Sequence, residues 1–159
     1  MMKLLKDLIT ELHGLYFKPN GFRKRRQRFW REYDNVMQEI EFQSSQWNSE
    51  GDPNTFYVNI HIGFSDIPMK DGKPALTGMG RISGLVPEAP SQYDLTSTNY
   101  PNIRDQLVKF LPRAMKQVEM HYEDVRNRAK NGLRTPMPLP ETWRAEQTNS
   151  PIAKGAGHD

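Results

Sequence analysis

From Thr55 to Phe64 the chain alternates, with Phe56, Val58, Ile60, Ile62 and Phe64 apolar and Thr55, Tyr57, Asn59, His61 and Gly63 between them. A strand has a side-chain period of two, so this pattern predicts a strand with one apolar and one polar face. Val36, Ile40 and Phe42 repeat the pattern against Met37, Glu39, Glu41 and Gln43, predicting a strand from Val36 to about Ser45. Asp34-Asn35 supplies the hairpin turn before it, because both residues tolerate left-handed backbone. A further strand begins at Phe22. Its parity is mixed: Phe29 and Tyr33 would face one way and Phe22 and Trp30 the other, which calls for a bulge midway. The pattern predicts an antiparallel meander with a core face and a presented face.

Leu5, Leu8, Ile9, Leu12, Leu15 and Tyr16 recur at three- and four-residue steps, predicting an amphipathic helix from about Lys3 to Phe17 that covers the apolar face. Lys18-Pro19-Asn20-Gly21 stops it. Between Ser65 and Pro101 prolines and glycines dilute the pattern, leaving one short edge strand around Arg81 to Val86, flanked by loops. A second helix opens at Pro101-Asn102, with Asn102 as N-cap and a stripe of Ile103, Leu107, Phe110 and Leu111. Pro112 is expected to interrupt or kink it, and Met115, Val118, Tyr122 and Val125 carry the stripe to a stop at Asn131-Gly132. The fold class read from these elements is α+β: a single domain over 1–131, with a three- to four-stranded antiparallel meander and N- and C-terminal helices on one face. Residues 132–159, rich in proline and glycine, read as a flexible tail, with Trp143 docking locally.

Composition narrows the chemistry. The 159 residues suit one domain, and the absence of cysteine excludes disulfides and sulfur-ligated metals. No apolar run is long enough for a membrane span or a signal peptide, so the reading is of a soluble, unexported, cytoplasmic protein. Net charge is +3 and the sequence pI about 9.2, so the distribution of charge says more than its total. It concentrates in one place: Arg23, Lys24, Arg25, Arg26, Arg28 and Arg31 surround Phe29 and Trp30. Such a run can track phosphates while an aromatic stacks on a base, or pair across strands with Glu32, Asp34, Glu39 and Glu41 as ordinary sheet chemistry.

The presented face offers Glu39, Glu41, Tyr57 and His61, with Trp47 at its end. A histidine near two carboxylates has the makings of a general acid/base set. No nucleophile elbow, metal spacing or phosphate-binding glycine loop accompanies it, so no catalytic residue, metal or cofactor is assigned. His121, between Glu119 and Glu123, has neither carboxylate at the spacing that shares a helix face and reads as an exposed helix position. Gly78, Gly80 and Gly84 miss the dinucleotide spacing and read as a loop.

Asn20-Gly21-Phe22-Arg23, Phe29-Trp30-Arg31-Glu32, the run Met37 to Trp47 with its Phe42-Gln43-x-Ser45-x-Trp47 core, and Phe56-Tyr57-Val58-Asn59-Ile60 together resemble a bacterial family known as domain of unknown function DUF4304. The resemblance covers about residues 3–125. It implies a helix-covered antiparallel sheet and carries no established activity. The functional expectation is a non-catalytic binding protein, in concrete form an immunity or antitoxin-like protein. Its sheet face would meet a protein partner through Arg23, Arg25, Arg31, Glu39, Glu41, Trp47, Tyr57 and His61, the types of residue that anchor interfaces. The alternative is an RNA-binding or RNA-cleaving domain built on the basic strand.

Overall fold

A computed structural model describes residues 3–45, 54–68, 72 and 74–143. The first helix, α1, spans Lys3–Leu12 and buries Leu5, Leu8, Ile9 and Leu12 on one stripe. It continues as a wider π-helical turn, His13–Phe17, and a 3-10 turn, Lys18–Asn20. The widened turn rotates the stripe: Tyr16 and Phe17 go inward, whereas Leu15, expected on the apolar side, is 54% exposed. Gly21 closes the helix at φ 81°, a conformation that costs glycine little.

The basic run expected as one bulged strand is two. β1 (Arg23–Arg25) and β2 (Arg28–Tyr33) form a hairpin whose turn is Arg26-Gln27, so the mixed parity comes from a turn rather than a bulge. Asp34 and Asn35, at φ 50° and 64°, make the next turn into β3 (Val36–Ser44). β3 pairs with β4 (Asn54–Pro68) over its whole length, Ile40 opposite Ile60 and Glu39 opposite His61. Phe29, Ile40, Phe42, Phe56, Val58, Ile60 and Ile62 are all buried on the core side, as the alternation requires.

Beyond Phe64 the sequence and the structure part. The strand expected at 81–86 is instead β5, Pro74–Arg81, and Ile82–Leu85 form a short helix, α2. β5 lacks an apolar stripe because its core-facing positions opposite Ile62 and Ile60 are Gly78 and Gly80. A Cβ on Gly78 would sit 2.7 Å from Ile62 and 2.9 Å from Val125, and one on Gly80 would clash with the Met137 carbonyl. The supposed glycine loop is therefore strand at Gly78 and Gly80, where close approach requires glycine, and helix α2 at Gly84. β6 (Tyr93–Leu95) pairs with the start of β4, so the described residues form seven strands where three or four were expected.

The helix α3, Tyr100–Met120, begins two residues before Asn102, behind Asn99. Asn99 and Thr96 exchange side-chain-to-backbone hydrogen bonds of 2.8 and 3.2 Å, which fix the turn that launches it. The helix runs uninterrupted through Pro112 and breaks at His121, where α4 (Tyr122–Ala129) starts. His121 is 5% exposed, not an exposed position; its Nδ1 lies 2.8 Å from the Gln117 carbonyl one turn back, so the ring folds onto its own helix. Gly132 ends α4 at φ 72°.

The sequence places a flexible tail from residue 132. In the structure, Thr135–Pro136 form β7, parallel to β5, Met137 and Leu139 are buried, and Arg128 lies over the Trp143 ring at 4.6 Å. The described fold thus reaches residue 143. Residues 144–159 lie outside the described residues. No described helix is long and apolar enough to cross a membrane.

Helices and sheet share one core. Phe17 stacks on Phe29 at 3.7 Å, joining the first helix to β2. Burial of this apolar face is the main stabilising term, at roughly 25 cal/mol per Å² removed from water.

Candidate functional site: the uncovered face of the sheet

Strand parity sends Arg23, Arg25, Arg28, Trp30, Glu39, Glu41, Gln43, Tyr57, Asn59, His61, Met79 and Arg81 to the side opposite the core. Among the described residues their side-chain hydrogen bonds, ion pairs and ring contacts are with one another, and none joins them to a helix. Arg28 sits at the centre, 3.1 Å from Glu41 and 3.5 Å from Glu39. Glu41 in turn lies 3.9 Å from His61 Nε2, and Asn59 donates to Gln43 at 2.7 Å and to Glu41 at 3.4 Å. Each polar side chain borrows its neighbour's charge or lone pair, so the ladder orders a face that water also reaches.

Two rings are capped by guanidinium groups. Arg81 lies over Tyr57 at 4.1 Å, and Arg23 over Trp30 at 5.2 Å. Trp30 nonetheless stays 39% exposed and Met79 50% exposed. Two concavities flank Glu41. One, of about 670 Å³, is lined by Arg25, Arg26, Arg28, Trp30, Glu39 and Glu41; the other, of about 260 Å³, by Gln43, Asn59, His61, Met79 and Arg81 among others.

Of the residues singled out from sequence, Arg23, Arg25, Glu39, Glu41, Tyr57 and His61 come together here. Arg31 does not. It shares the parity of Phe29 and points to the helix-covered side, where its Nε donates to Gln38 Oε1 at 2.6 Å and its guanidinium to the Asn20 carbonyl at 2.6 Å, over the Phe22 ring. Had the hairpin at Arg26-Gln27 been legible, parity alone would have removed it from the set. Trp47 lies outside the described residues. Arg28, Met79 and Arg81 were missed: Arg28 by the uncertain parity of β2, the other two because β5 carries no alternation to find.

On the covered side, Gln38 is 1% exposed. Its amide donates to the hydroxyls of Tyr122 and Tyr33, which lie 3.1 Å apart. Burial, first, and the Tyr33 hydroxyl, second, push the Tyr122 phenol well above the ordinary tyrosine range. This cluster ties α4 to the sheet.

The family model described as "Domain of unknown function (DUF4304)" matches residues 14–118. The chain belongs to this family. The match takes in the hairpin, the meander and most of α3, and leaves α4 and the C-terminal strand outside it. No curated protein and no solved structure matches the chain. The DUF4304 description assigns no activity, so the uncovered face has to be read on its own chemistry.

Proposed function

We propose that this DUF4304 protein is a non-catalytic, cytoplasmic protein-binding domain that docks a partner on the uncovered face of its sheet. In its concrete form it is a bacterial immunity or antitoxin-like protein that neutralises that partner. One observation carries the reading. A pre-ordered lattice of Arg28, Glu39, Glu41, Asn59 and Gln43 surrounds exposed Trp30, Met79 and the Arg81-capped Tyr57. Aromatic, methionine and arginine side chains on a rigid platform are what interface centres are made of, and fixing them beforehand lowers the ordering cost of binding.

The full chain, used as bait in a native lysate with cross-linking, should return one stoichiometric protein. Trp30→Ala and Tyr57→Ala should release it, whereas Arg104→Ala, whose ion pair with Glu11 joins the two helices α1 and α3, should not. Repeated recovery of a lone monomer, or indifference to both ring substitutions, sinks the proposal.

RNA binding or cleavage is the second reading, and the 3.9 Å approach of His61 to Glu41 beside Arg28 is what favours it. Phosphate-driven binding must fall steeply with salt. A single-stranded RNA titration with no low-salt binding removes it, and any cleavage should vanish in His61→Ala.

A further inference from the structure

Charge on the uncovered face is unevenly satisfied. Glu39 and Glu41 already share Arg28, and their side chains are only 15% and 23% exposed. At the hairpin tip next to them, Arg25 and Arg26 are exposed and form no ion pair with a carboxylate among the described residues. These two arginines rim the concavity whose walls are Trp30 and the Arg28–Glu pairs. The hairpin that carries them is held rigidly: Gln27 donates from its amide to the Phe42 carbonyl at 3.0 Å and the Ser44 hydroxyl at 2.9 Å, and its own carbonyl accepts from Phe42 N–H at 2.9 Å.

Arg26 stands at φ 55°, a backbone conformation in which a side chain is a handicap and glycine is the easy choice. Folding gains nothing from arginine there, so the observed strain points to a use for the guanidinium.

Two features decide between anionic partners. Trp30 and Tyr57 each have a guanidinium already on one face, which narrows the flat surface on which a nucleobase would stack but leaves Trp30 39% exposed to a smaller aliphatic stem. The paired carboxylates in the floor of the concavity repel a continuous phosphate backbone, but they leave room for separate acidic side chains spaced along a polypeptide.

Resting on the binding reading above, we infer that the Arg25-Arg26 tip and its concavity form a carboxylate-recognition site for an Asp/Glu-rich segment of the protein partner. The segment's carboxylates pair with these two exposed guanidinium groups, each of which can hold a carboxylate through two parallel N–H donors. Its stem packs on Trp30. Strand addition along β1 is a poorer fit, since three residues offer few outward backbone groups.

The test is fluorescence anisotropy of the full chain at low salt with three labelled probes: a Glu/Ser peptide, the same peptide with Gln for Glu, and a single-stranded oligonucleotide of equal charge. The Glu/Ser peptide should bind best, and the double variant Arg25→Ala/Arg26→Gly should weaken it by about fivefold or more, the scale of two exposed charge pairs. Because Arg26→Gly suits the turn, the variant keeps its fold, and a urea midpoint at or above that of the parent confirms it. No binding of the Glu/Ser peptide, equal binding of the Gln peptide, equal binding by the variant, or tighter binding of the oligonucleotide each overturns the assignment. The two proposals fail separately. Partner capture that survives Arg25→Ala/Arg26→Gly but not Tyr57→Ala leaves the face as the interface and removes the acidic segment.

Discussion

Arg28 and Arg31 stand three residues apart on β2, and the pleat sends them to opposite faces. Arg31 is half-buried against the turn that ends the first helix, bonded to a glutamine that is 1% exposed and to the Asn20 carbonyl. Arg28 is more than half exposed and holds two glutamates in reach of solvent. The same side chain is a structural tie in one place and an organiser of a surface in the other. Its chemistry is constant; what differs is whether water can replace its partners. A buried donor that loses its acceptor pays the full cost of desolvation, whereas an exposed one is resolvated.

That contrast is broken most severely at Gln38. Gln38→Leu removes, at a position that is 1% exposed, the acceptor of half-buried Arg31 and the amide that binds the Tyr122 and Tyr33 hydroxyls, and stability should drop by about 3 kcal/mol, read as a lower urea midpoint. Were the midpoint unchanged, the covered cluster would be no tie at all. Gly78→Ala comes next, at about 2 kcal/mol, because the added methyl presses on Val125 and on Ile62 across the strand. Loss of hydrogen-exchange protection in α4 and β7 ahead of the meander would show that these C-terminal elements are held by that close approach.

High pH sharpens the comparison. The Tyr122 phenol is raised above its ordinary value of 10.0, and so is that of buried Tyr93; burial and then the Glu11 charge push Tyr100 up to about 12. The unfolded chain releases these protons first. The native state then binds more protons than the unfolded one, so stability is fully present below pH 10 and falls as pH rises through the folded values. Denaturation midpoints taken at rising pH should fall, and Tyr122→Phe should flatten the slope. The smallest effect belongs to the open face: Arg28→Ala should cost about 1 kcal/mol, because two pairs are lost whose arginine end is more than half exposed although Glu39 and Glu41 are only 15% and 23% exposed. A larger loss in the same urea titration would make the lattice a structural element and weaken its reading as a binding platform.

Much of the fold is visible in the residue pattern, and its limits are instructive. The first helix, the Asp34-Asn35 turn and the pairing partners β3 and β4 follow from periodicity because each buries one face against a single layer. β5 and β7 escape because the tertiary contact replaced the signal. Gly78 and Gly80 keep the core by having no side chain, and Thr135-Pro136 join the sheet with neither β-branched runs nor alternation to announce them. The candidate site divides the same way. Glu39, Glu41, Tyr57 and His61 are legible from strands whose parity is unambiguous, while Arg81 and Met79 are not.

The order of apolar and polar residues settled by itself that this chain would build a one-sided sheet sealed by helices, because hydrophobic period dictates which atoms leave water. Only the tertiary structure decided which arginines stay in water, since a two-residue turn at Arg26-Gln27 sets the parity of everything on β2. It also decided that glycines far along the chain belong to the core, because close packing is a property of two surfaces and is written in neither one alone.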